Sequence, residues 1–372
     1  MERKVVHLFF HDDVDGIVSA AMVMKAFYTN HVYRLYPVKS SHRGDKFNKL
    51  VESVSRDGNN DSIVIVDYQY HPSADLWVDH HYCSDLKDER LYNGRQFYNS
   101  KAKSAARVIY DWFQETPLLK GVINQHIVDI TDMIDSAGFK SIDYIFSSTE
   151  PLMLLKAYLE RLSIFVDSTY CRIVELIVKY NFDIDSVLFS LGIDDGIINE
   201  LQKSAKDIEK AMVIYGVMSI TEMNREYAYP RYSEYLVRPD LMYSIRVIRL
   251  GGDRVKMAVS YNRWQPKSCK VDIGKLLNSI DYKLAGGGHQ MVGSAVIYEN
   301  DVERFIDDLC VQFNGPEDSI MEKLAVDKED PVEKKAEEMI KTGEADNKDS
   351  ARKKATSKLE GGKSERVQSG GV

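Results

Sequence analysis

Two clusters of acidic and histidine residues near the start of the chain have the residue types and spacing of a metal site. They are His11-Asp12-Asp13-Val14-Asp15-Gly16 and Asp79-His80-His81, with Asp67 between them. Together they offer enough carboxylates and imidazoles to hold two divalent cations side by side. The spacing His11-x-Asp13-x-Asp15 places three side chains on one side of an extended turn, because side chains alternate along such a segment. Gly16 then lets the chain bend into a following helix.

A third motif, Gly286-Gly287-Gly288-His289, offers groups that bind phosphate. The backbone N–H groups of the three glycines can approach an anion because no Cβ intervenes, and His289 would add a further donor. Two cations about 3.5–4 Å apart commonly stabilise the charge that develops on a phosphoryl group. The three motifs together therefore favour a hydrolase of phosphodiester bonds. Carboxylates with a minority of imidazoles and no thiolates suit Mn²⁺ or Mg²⁺, and the histidines favour manganese.

The candidate ligands follow predicted strands. Apolar runs predict strands, and apolar residues at helical spacing predict the helices between them. The predicted strands cover residues 4–10, 32–38, 62–68 and 74–78, and the predicted helices cover residues 16–28 and 45–54. This alternation implies a parallel sheet with helices on both faces, in which ligands bind beyond the carboxyl ends of strands. His11, Asp67 and Asp79 each come at such an end, so we expect them to meet at one edge of the sheet.

The rest of the chain divides into further segments. We predict an α/β catalytic, metal-binding domain over 1–150 and a helical connector over 151–215, which offers a surface for a homodimer. A smaller α/β domain follows over 216–314, with strands at 243–250 and 255–261, and would bind the substrate. Residues 315–372 predict a disordered, charged tail, because no aromatic residue occurs after Phe313.

The composition limits the class of protein and its partners. The 372 residues exceed what one hydrophobic core usually organises, and the net charge of −8 argues against non-specific coating of duplex DNA. Residues 225–275 nevertheless hold eleven Lys and Arg against five Asp and Glu, a formal charge of +6, which indicates either a nucleotide-binding surface or a solvated basic face. The four cysteines show no CxxC spacing, which argues against a zinc or disulfide framework. With no secretory signal and no apolar run of about 18 residues, we expect a cytoplasmic protein that does not contact membranes.

With these motifs the sequence resembles the DHH phosphoesterase superfamily, named for the tripeptide found here as Asp79-His80-His81. It is similar to the members with a C-terminal domain that carries the GGGH loop, which include single-strand exonucleases and nanoRNases; the likeness covers residues 1–140 and about 240–297. The resemblance implies a site for two Mn²⁺ ions. His11, Asp13 and Asp67 would hold one ion. The other would be held by Asp15, the shared Asp67, His80 and an acid between 128 and 135, where Asp132 best fits the family pattern and Asp135 is the alternative.

The resemblance also implies roles for residues that do not bind metal. Asp79 would orient a ligand, and His81 would face the scissile phosphate as a charge stabiliser or proton donor, unless its role is structural. Arg263 falls where the family places an arginine that grips the substrate's phosphate, a task that suits a planar guanidinium. Tyr261 and Trp264 beside it either stack on bases or pack as ordinary aromatics.

We therefore predict a two-domain phosphodiesterase that uses metal-activated water to release mononucleotides from one end of single-stranded DNA, RNA or a short oligonucleotide. One alternative is a small-molecule phosphohydrolase that acts on a cyclic dinucleotide, an adenosine phosphate or polyphosphate. A second alternative, of another class, is an inactive scaffold that binds nucleic acid. The basic second domain favours nucleotides over polyphosphate, and the complete set of candidate ligands argues against the scaffold.

Overall fold

The chain forms two compact units. The first comprises Met1–Met212, Glu222–Asp240 and Trp264–Pro266, and the second Val213–Thr221, Leu241–Arg263 and Lys267–Val372. The computed structural model describes residues 4–27, 30–39, 42–54, 61–81, 90–92, 95–115, 123–161, 167–223, 229–265, 271–288 and 290–314. The predicted disordered tail, 315–372, lies outside these described residues.

A six-stranded sheet organises the first unit. Its strands are β1 (Val5–His11), β2 (Val32–Val38), β3 (Ser62–Val66), β4 (Leu76–Asp79), β5 (Arg90–Tyr92) and β6 (Gln96–Asn99). They lie in the order β2-β1-β3-β4-β6-β5, and all neighbouring pairs are parallel except β5 with β6, which is antiparallel. The predicted parallel α/β class of this domain is confirmed.

Ten helices are described in the first unit, and α1, α3 and α7 are among those that pack on this sheet. The ten are α1 (Val14–Ala26), α2 (Asp45–Glu52), α3 (Ala105–Glu115), α4 (Gln125–Asp135), α5 (Ile142–Ser147), α6 (Pro151–Arg161), α7 (Asp167–Lys179), α8 (Ile184–Leu191), α9 (Gly196–Asp207) and α10 (Ser233–Val237). Both faces of the interior strand β1 are covered, because the consecutive side chains Val6 to Phe10 are all fully buried. Phe9 meets Phe47 of α2 at a ring distance of 6.0 Å. Continuous apolar runs of this kind are typical of parallel strands with helices on both sides.

The helical segment predicted as a connector clusters with the first unit through Met212 rather than standing apart from it. α6 begins at Pro151, in keeping with the preference of proline for the first helical turn. Phe189 on α8 is 87% exposed, and the homodimer predicted for this segment stays a prediction. No helix in the described part of the chain is long and apolar enough to cross a membrane.

A second six-stranded sheet, in the order β11-β12-β10-β9-β8-β7, forms the second unit. Its strands are β7 (Met212–Tyr215), β8 (Met218–Met223), β9 (Tyr243–Gly251), β10 (Arg254–Tyr261), β11 (Ala285–Gly288) and β12 (Val292–Tyr298), with helices α11 (Ile273–Ser279) and α12 (Val302–Asn314). Alternate residues of β10 face a core that includes Leu277 and Phe305. The turn between β9 and β10 carries Gly251 and Gly252 at φ of 97° and 64°, a conformation that glycine adopts readily.

Part of the predicted substrate domain belongs instead to the first unit. Residues Glu222–Asp240 and Trp264–Pro266 cluster with the metal-site unit, although the strands before and after them belong to the second sheet. The chain therefore leaves the second unit after β8, contributes α10 to the first unit, and returns at β9. Hydrophobic periodicity shows that elements exist but not which core they join, so this exchange could not be predicted from the sequence.

Candidate metal centre

The candidate ligands emerge from the carboxyl ends of three adjacent strands. His11 is the last residue of β1, Asp67 follows β3 directly, and Asp79 is the last residue of β4. β1 is flanked by β2 and β3, so the chain crosses from one side of β1 to the other at this edge. Such a crossover leaves a crevice beyond the strand ends, where α/β proteins bind their ligands. The predicted convergence of the motifs at one edge is therefore present in the structure.

Asp13 ties the first motif to the start of α1. Its Oδ1 accepts a hydrogen bond from the Gly16 N–H at 3.0 Å, and its Oδ2 lies 2.7 Å from Nδ1 of His11. A Cβ added at Gly16 would overlap the backbone of His11. Glycine at this position thus lets the first turn of α1 pass close to the end of β1, which holds His11 and Asp13 together.

Asp15 is buried and caps a second helix, α3. Its Oδ2 accepts from the Ala105 N–H at 2.6 Å and its Oδ1 from the Ala106 N–H at 2.9 Å. The hydroxyl of Ser19 donates to the same Oδ1 at 3.2 Å. The free N–H groups of a helix start favour a carboxylate, so this arrangement fixes the orientation of Asp15.

Asp67 occupies the centre of the cluster. It is only 1% exposed, yet within the described residues neither of its carboxylate oxygens accepts a hydrogen bond. Its Oδ2 lies 3.6 Å from Nδ1 of His11, and its Oδ1 lies 3.7 Å from Nε2 of His80. The backbone of Asp67 has a φ of 55°, a left-handed conformation that is uncommon outside glycine and often marks a functional site. A buried carboxyl group in this state must be neutralised, either by a bound proton or by a cation.

Three groups of side chains in the described part of the chain are spaced to hold a metal ion: His11, Asp13 and Asp67; Asp15, His80 and Asp135; and Asp67, His80 and His81. Asp67 belongs to two of them, and its two oxygens face different imidazoles. The first two groups have the composition expected for a pair of hard divalent cations with carboxylate and imidazole ligands. The residues present therefore fit divalent cations, and Asp67 is the member that two of the three groups share.

The electrostatics of the cluster support the same interpretation. Burial raises the pKa of Asp15 to about 7, and the nearby Asp135 and Asp13 add to the effect. Burial also raises the pKa of Asp67 well above its usual range, with further contributions from Asp15 and Asp13. Burial alone would lower the pKa of His80, but Asp135, Asp15 and Asp67 raise it. Mutual repulsion of buried carboxylates thus favours bound protons, and a divalent cation would relieve it directly.

Of the two fourth-motif candidates, Asp135 lies against His80, whereas the preferred Asp132 does not belong to any of the three groups. Oδ2 of Asp135 lies 3.2 Å from Nε2 of His80. Asp132 is occupied elsewhere: its Oδ1 accepts from the hydroxyl of Ser104 at 2.6 Å and its Oδ2 from Nε of Arg107 at 2.9 Å. Both oxygens of Asp132 thereby join α4 to the start of α3.

Asp79 lies behind the ligands and orients the two histidines that follow it. Its Oδ1 accepts from the backbone N–H groups of His80 at 2.8 Å and His81 at 3.1 Å, and lies 2.8 Å from Nδ1 of His81. Burial alone would raise the pKa of Asp79, but His81 and then His80 lower it, so the carboxylate stays charged. This geometry is what the predicted orienting role requires.

The glycine motif forms the edge strand β11. Gly286 and Gly287 have φ of 151° and 155°, a region that side chains other than glycine rarely adopt. A Cβ at Gly286 would lie 2.5 Å from the carbonyl oxygen of Ser294 on β12. The glycines are therefore needed for close pairing of β11 with β12, whatever ligand their backbone binds. His289 lies outside the described residues.

Arg263 and its neighbours lie just past the end of β10. The side chain of Arg263 is exposed, and Asn262 before it is buried and donates to the carbonyl oxygen of Leu241 at 2.9 Å. β10 pairs with β12 from Arg254 to Ser260, so Arg263 follows the end of β10 that lies near the Gly288–Gly293 pair. Trp264 packs edge-to-face on Tyr232 at 5.7 Å and donates from Nε1 to the Phe139 carbonyl at 3.2 Å, which is a packing role.

Comparison with solved structures places this fold among known ones. The pGpG-specific phosphodiesterase PggH from Vibrio cholerae is 20% identical and superimposes with a TM-score of 0.55, covering 84% of this chain and 99% of its own. RecJ from Thermus thermophilus in complex with Mn²⁺ is 12% identical with a TM-score of 0.47, covering 81% of this chain and 51% of its own. No protein-family model and no curated sequence matches the chain. The likeness to PggH, at 20% identity, is a likeness of fold, and it agrees with the α/β class predicted from the sequence.

Proposed function

We propose that this protein is a phosphodiesterase that uses two divalent cations to hydrolyse short or single-stranded nucleic acid from one end. The observation that carries the proposal is Asp67, a buried carboxylate whose oxygens lack hydrogen bonds within the described residues and face the imidazoles of His11 and His80. A structural acid in such a position would be strongly destabilising. Shared between two ions, it would be the centre of a catalytic site.

His11, Asp13 and Asp67 would hold one ion, and Asp15, Asp67, His80 and Asp135 the other. We expect Mn²⁺, with Mg²⁺ as the alternative, because the imidazoles favour manganese. When bound, the ions would supply a nucleophile from water at neutral pH and neutralise charge on the phosphoryl oxygens. Asp135 takes the place first assigned to Asp132, because Asp132 is held by Ser104 and Arg107.

His81 would act on the substrate through its second ring nitrogen. Asp79 engages Nδ1 at 2.8 Å, so Nε2 is the ring nitrogen that would donate to a phosphoryl or leaving oxygen of a bound substrate. The carboxylate of Asp79 would stabilise the protonated ring during this step, as an acid paired with a catalytic histidine does. Asp79 is therefore a positioning residue, and His81 the proton donor.

The second unit would hold the part of the substrate that is not cleaved. Its candidate groups are the backbone of Gly286 to Gly288, the guanidinium of Arg263 and the imidazole of His289. PggH acts on pGpG, a linear dinucleotide, and this supports a short oligonucleotide over polyphosphate as the substrate. The basic composition of residues 225–275 points in the same direction.

A digestion panel tests the proposal. The full chain would be incubated with Mn²⁺ and, in separate reactions, with end-labelled pGpG, single-stranded RNA, single-stranded DNA, a cyclic dinucleotide and polyphosphate. We expect mononucleotides from the linear substrates and no reaction in EDTA. The proposal would be refuted if the Mn²⁺-loaded protein cleaved none of the nucleotide substrates and behaved in this respect like its Asp67→Asn variant.

A further inference from the structure

Arg231 is an exposed cation in the segment that the first unit takes from the predicted substrate domain. Its side chain is 73% exposed, and its Nε lies 3.8 Å from Oε1 of Glu160 on α6. That distance is too long for a hydrogen bond. The other oxygen of Glu160 accepts from Nζ of Lys156 at 2.9 Å, so Glu160 already has a closer partner. Within the described residues, the guanidinium therefore keeps its donors available.

The position of Arg231 connects it with the metal ligands. α6, which carries Glu160, packs against α1 and α4, which carry Asp15 and Asp135. Burial alone would raise the pKa of Asp13, but His11, the Gly16 N–H and then Arg231 lower it. Desolvation by the surrounding protein would by itself lower the pKa of Arg231. The charges of Glu160, Tyr232, Asp13 and Asp135 more than offset this and raise it. The ring of Tyr232, the next residue, also lies 6.2 Å from that of Phe139, four residues beyond the end of α4. Arg231 therefore lies next to α6, which packs on the helices of Asp15 and Asp135, and its nearest carboxylate contact in the described structure is Glu160.

The backbone after Arg231 is held in a strained conformation. Tyr232 has a φ of 68°, in the left-handed region, which a bulky side chain rarely adopts. Aromatic contacts hold its ring: Phe139 at 6.2 Å, Tyr235 at 6.4 Å and Trp264 at 5.7 Å. Strain of this kind persists where the surrounding structure fixes it, and these contacts hold the backbone directly after Arg231.

We propose that Arg231 binds a non-bridging oxygen of the substrate phosphate that lies against the metal ligands, an inference that rests on the proposed phosphodiesterase function. A guanidinium offers phosphate two parallel, charge-assisted hydrogen bonds. An exposed donor fixed beside the reacting group is also suited to the charge that grows on the phosphoryl oxygens during hydrolysis. An arginine that served only to neutralise the charge of the acidic side chains would need neither an exposed side chain nor N–H groups available to a ligand.

Equilibrium binding tests this assignment separately from catalysis. The probe is pGpG with a phosphorothioate linkage, titrated by calorimetry into the full chain in the presence of Mn²⁺. Arg231→Gln should weaken binding about 10- to 100-fold relative to the wild type, and Arg231→Lys should lose less because it keeps the charge. The matched control is Arg238→Gln, since Arg238 in the same segment is paired with Asp240 at 2.6 Å and 2.9 Å.

Turnover of pGpG provides the second readout. Arg231→Gln should lower kcat/KM by at least the factor it loses in binding, while the Mn²⁺ stoichiometry and the thermal midpoint stay at wild-type values. Equal affinity of the wild type and Arg231→Gln for the probe, or no binding by the wild type, would overturn the assignment. Arg231-dependent binding of the probe, with no cleavage of any nucleotide substrate in the digestion panel, would leave the assignment standing and refute the phosphodiesterase function instead.

Discussion

Asp132 and Asp135 lie on the same helix, α4, but their carboxylates serve different purposes. Asp135 reaches His80, with 3.2 Å between Oδ2 and Nε2, whereas Asp132 accepts hydrogen bonds from Ser104 and Arg107. Arg107 also contacts Asp129 on the exposed side of α4. One acid therefore completes the candidate metal centre, and the other fastens α4 to α3 behind it.

Matched substitutions separate these two roles. Asp135→Asn should lower Mn²⁺ affinity and turnover by more than the about 10- to 100-fold that loss of an outer partner costs a metal site. Asp132→Asn should keep most of the activity but lower the free energy of unfolding by about 1–3 kcal/mol, because Arg107 loses a charged acceptor. Calorimetry, denaturant titration and pGpG turnover of both variants provide the check. Loss of Mn²⁺ binding in Asp132→Asn alone would return the ligand role to Asp132.

The parallel sheet and the edge that carries the site could be predicted from the sequence. The runs before His11, Asp67 and Asp79 are apolar without alternation, which indicates strands buried on both faces, and the acids mark where each strand ends. The choice between Asp132 and Asp135 could not be made in the same way. It depends on Ser104 and Arg107, which precede α4 in the chain and whose approach to it is a matter of tertiary packing.

The place of Arg231 in the first unit could not be predicted from the sequence for a related reason. It lies in a basic stretch that the sequence assigns to the second domain, and only the tertiary structure shows that 222–240 joins the first unit. The glycine motif gives the converse case. Its sequence suggests a phosphate-binding loop. In the structure, Gly286 and Gly288 are also required for packing, because side chains at these positions would collide with β12. Glycine can serve both phosphate binding and close strand pairing, and the sequence pattern does not tell these two roles apart.

Gly16 should tolerate no side chain. Gly16→Ala would force a Cβ onto the backbone of His11, so we expect a loss of about 3 kcal/mol in the free energy of unfolding together with weaker Mn²⁺ binding. The control is Gly196→Ala at the start of α9, where the nearest atom is the flexible side chain of Asp194. Denaturant titration of both variants measures the difference. Equal stability of Gly16→Ala and the wild type would mean that the approach of α1 to β1 is less tight than described.

His81 should affect chemistry rather than metal content. His81→Asn removes the proposed proton donor and should lower kcat about 10²- to 10⁴-fold. Both Mn²⁺ ions should remain, because the other ligands are intact. Metal analysis of the purified variant, alongside turnover, measures both effects. Loss of one ion would instead make His81 a ligand in the group it forms with Asp67 and His80.

Arg263 should contribute to binding of the uncleaved part of the substrate. Arg263→Ala should raise KM for pGpG by about tenfold or more, since a charge-assisted contact to phosphate is lost, and should change kcat less. A substrate with a single phosphodiester and no terminal phosphate should show a smaller change. Steady-state kinetics on the two substrates give the comparison. An unchanged KM for pGpG would place the phosphate anchor on another residue.

Titration of the full chain with Mn²⁺, for the wild type and for Asp67→Asn, tests the binuclear centre most directly. We expect two ions per wild-type chain and the loss of tight binding at one or both positions in Asp67→Asn, with an unchanged circular dichroism spectrum. The variant should also be at least as stable as the wild type in EDTA, because a buried carboxylate without hydrogen bonds in the described structure is removed. Two ions bound with wild-type affinity by Asp67→Asn, or none bound by the wild type, would contradict a centre shared through Asp67.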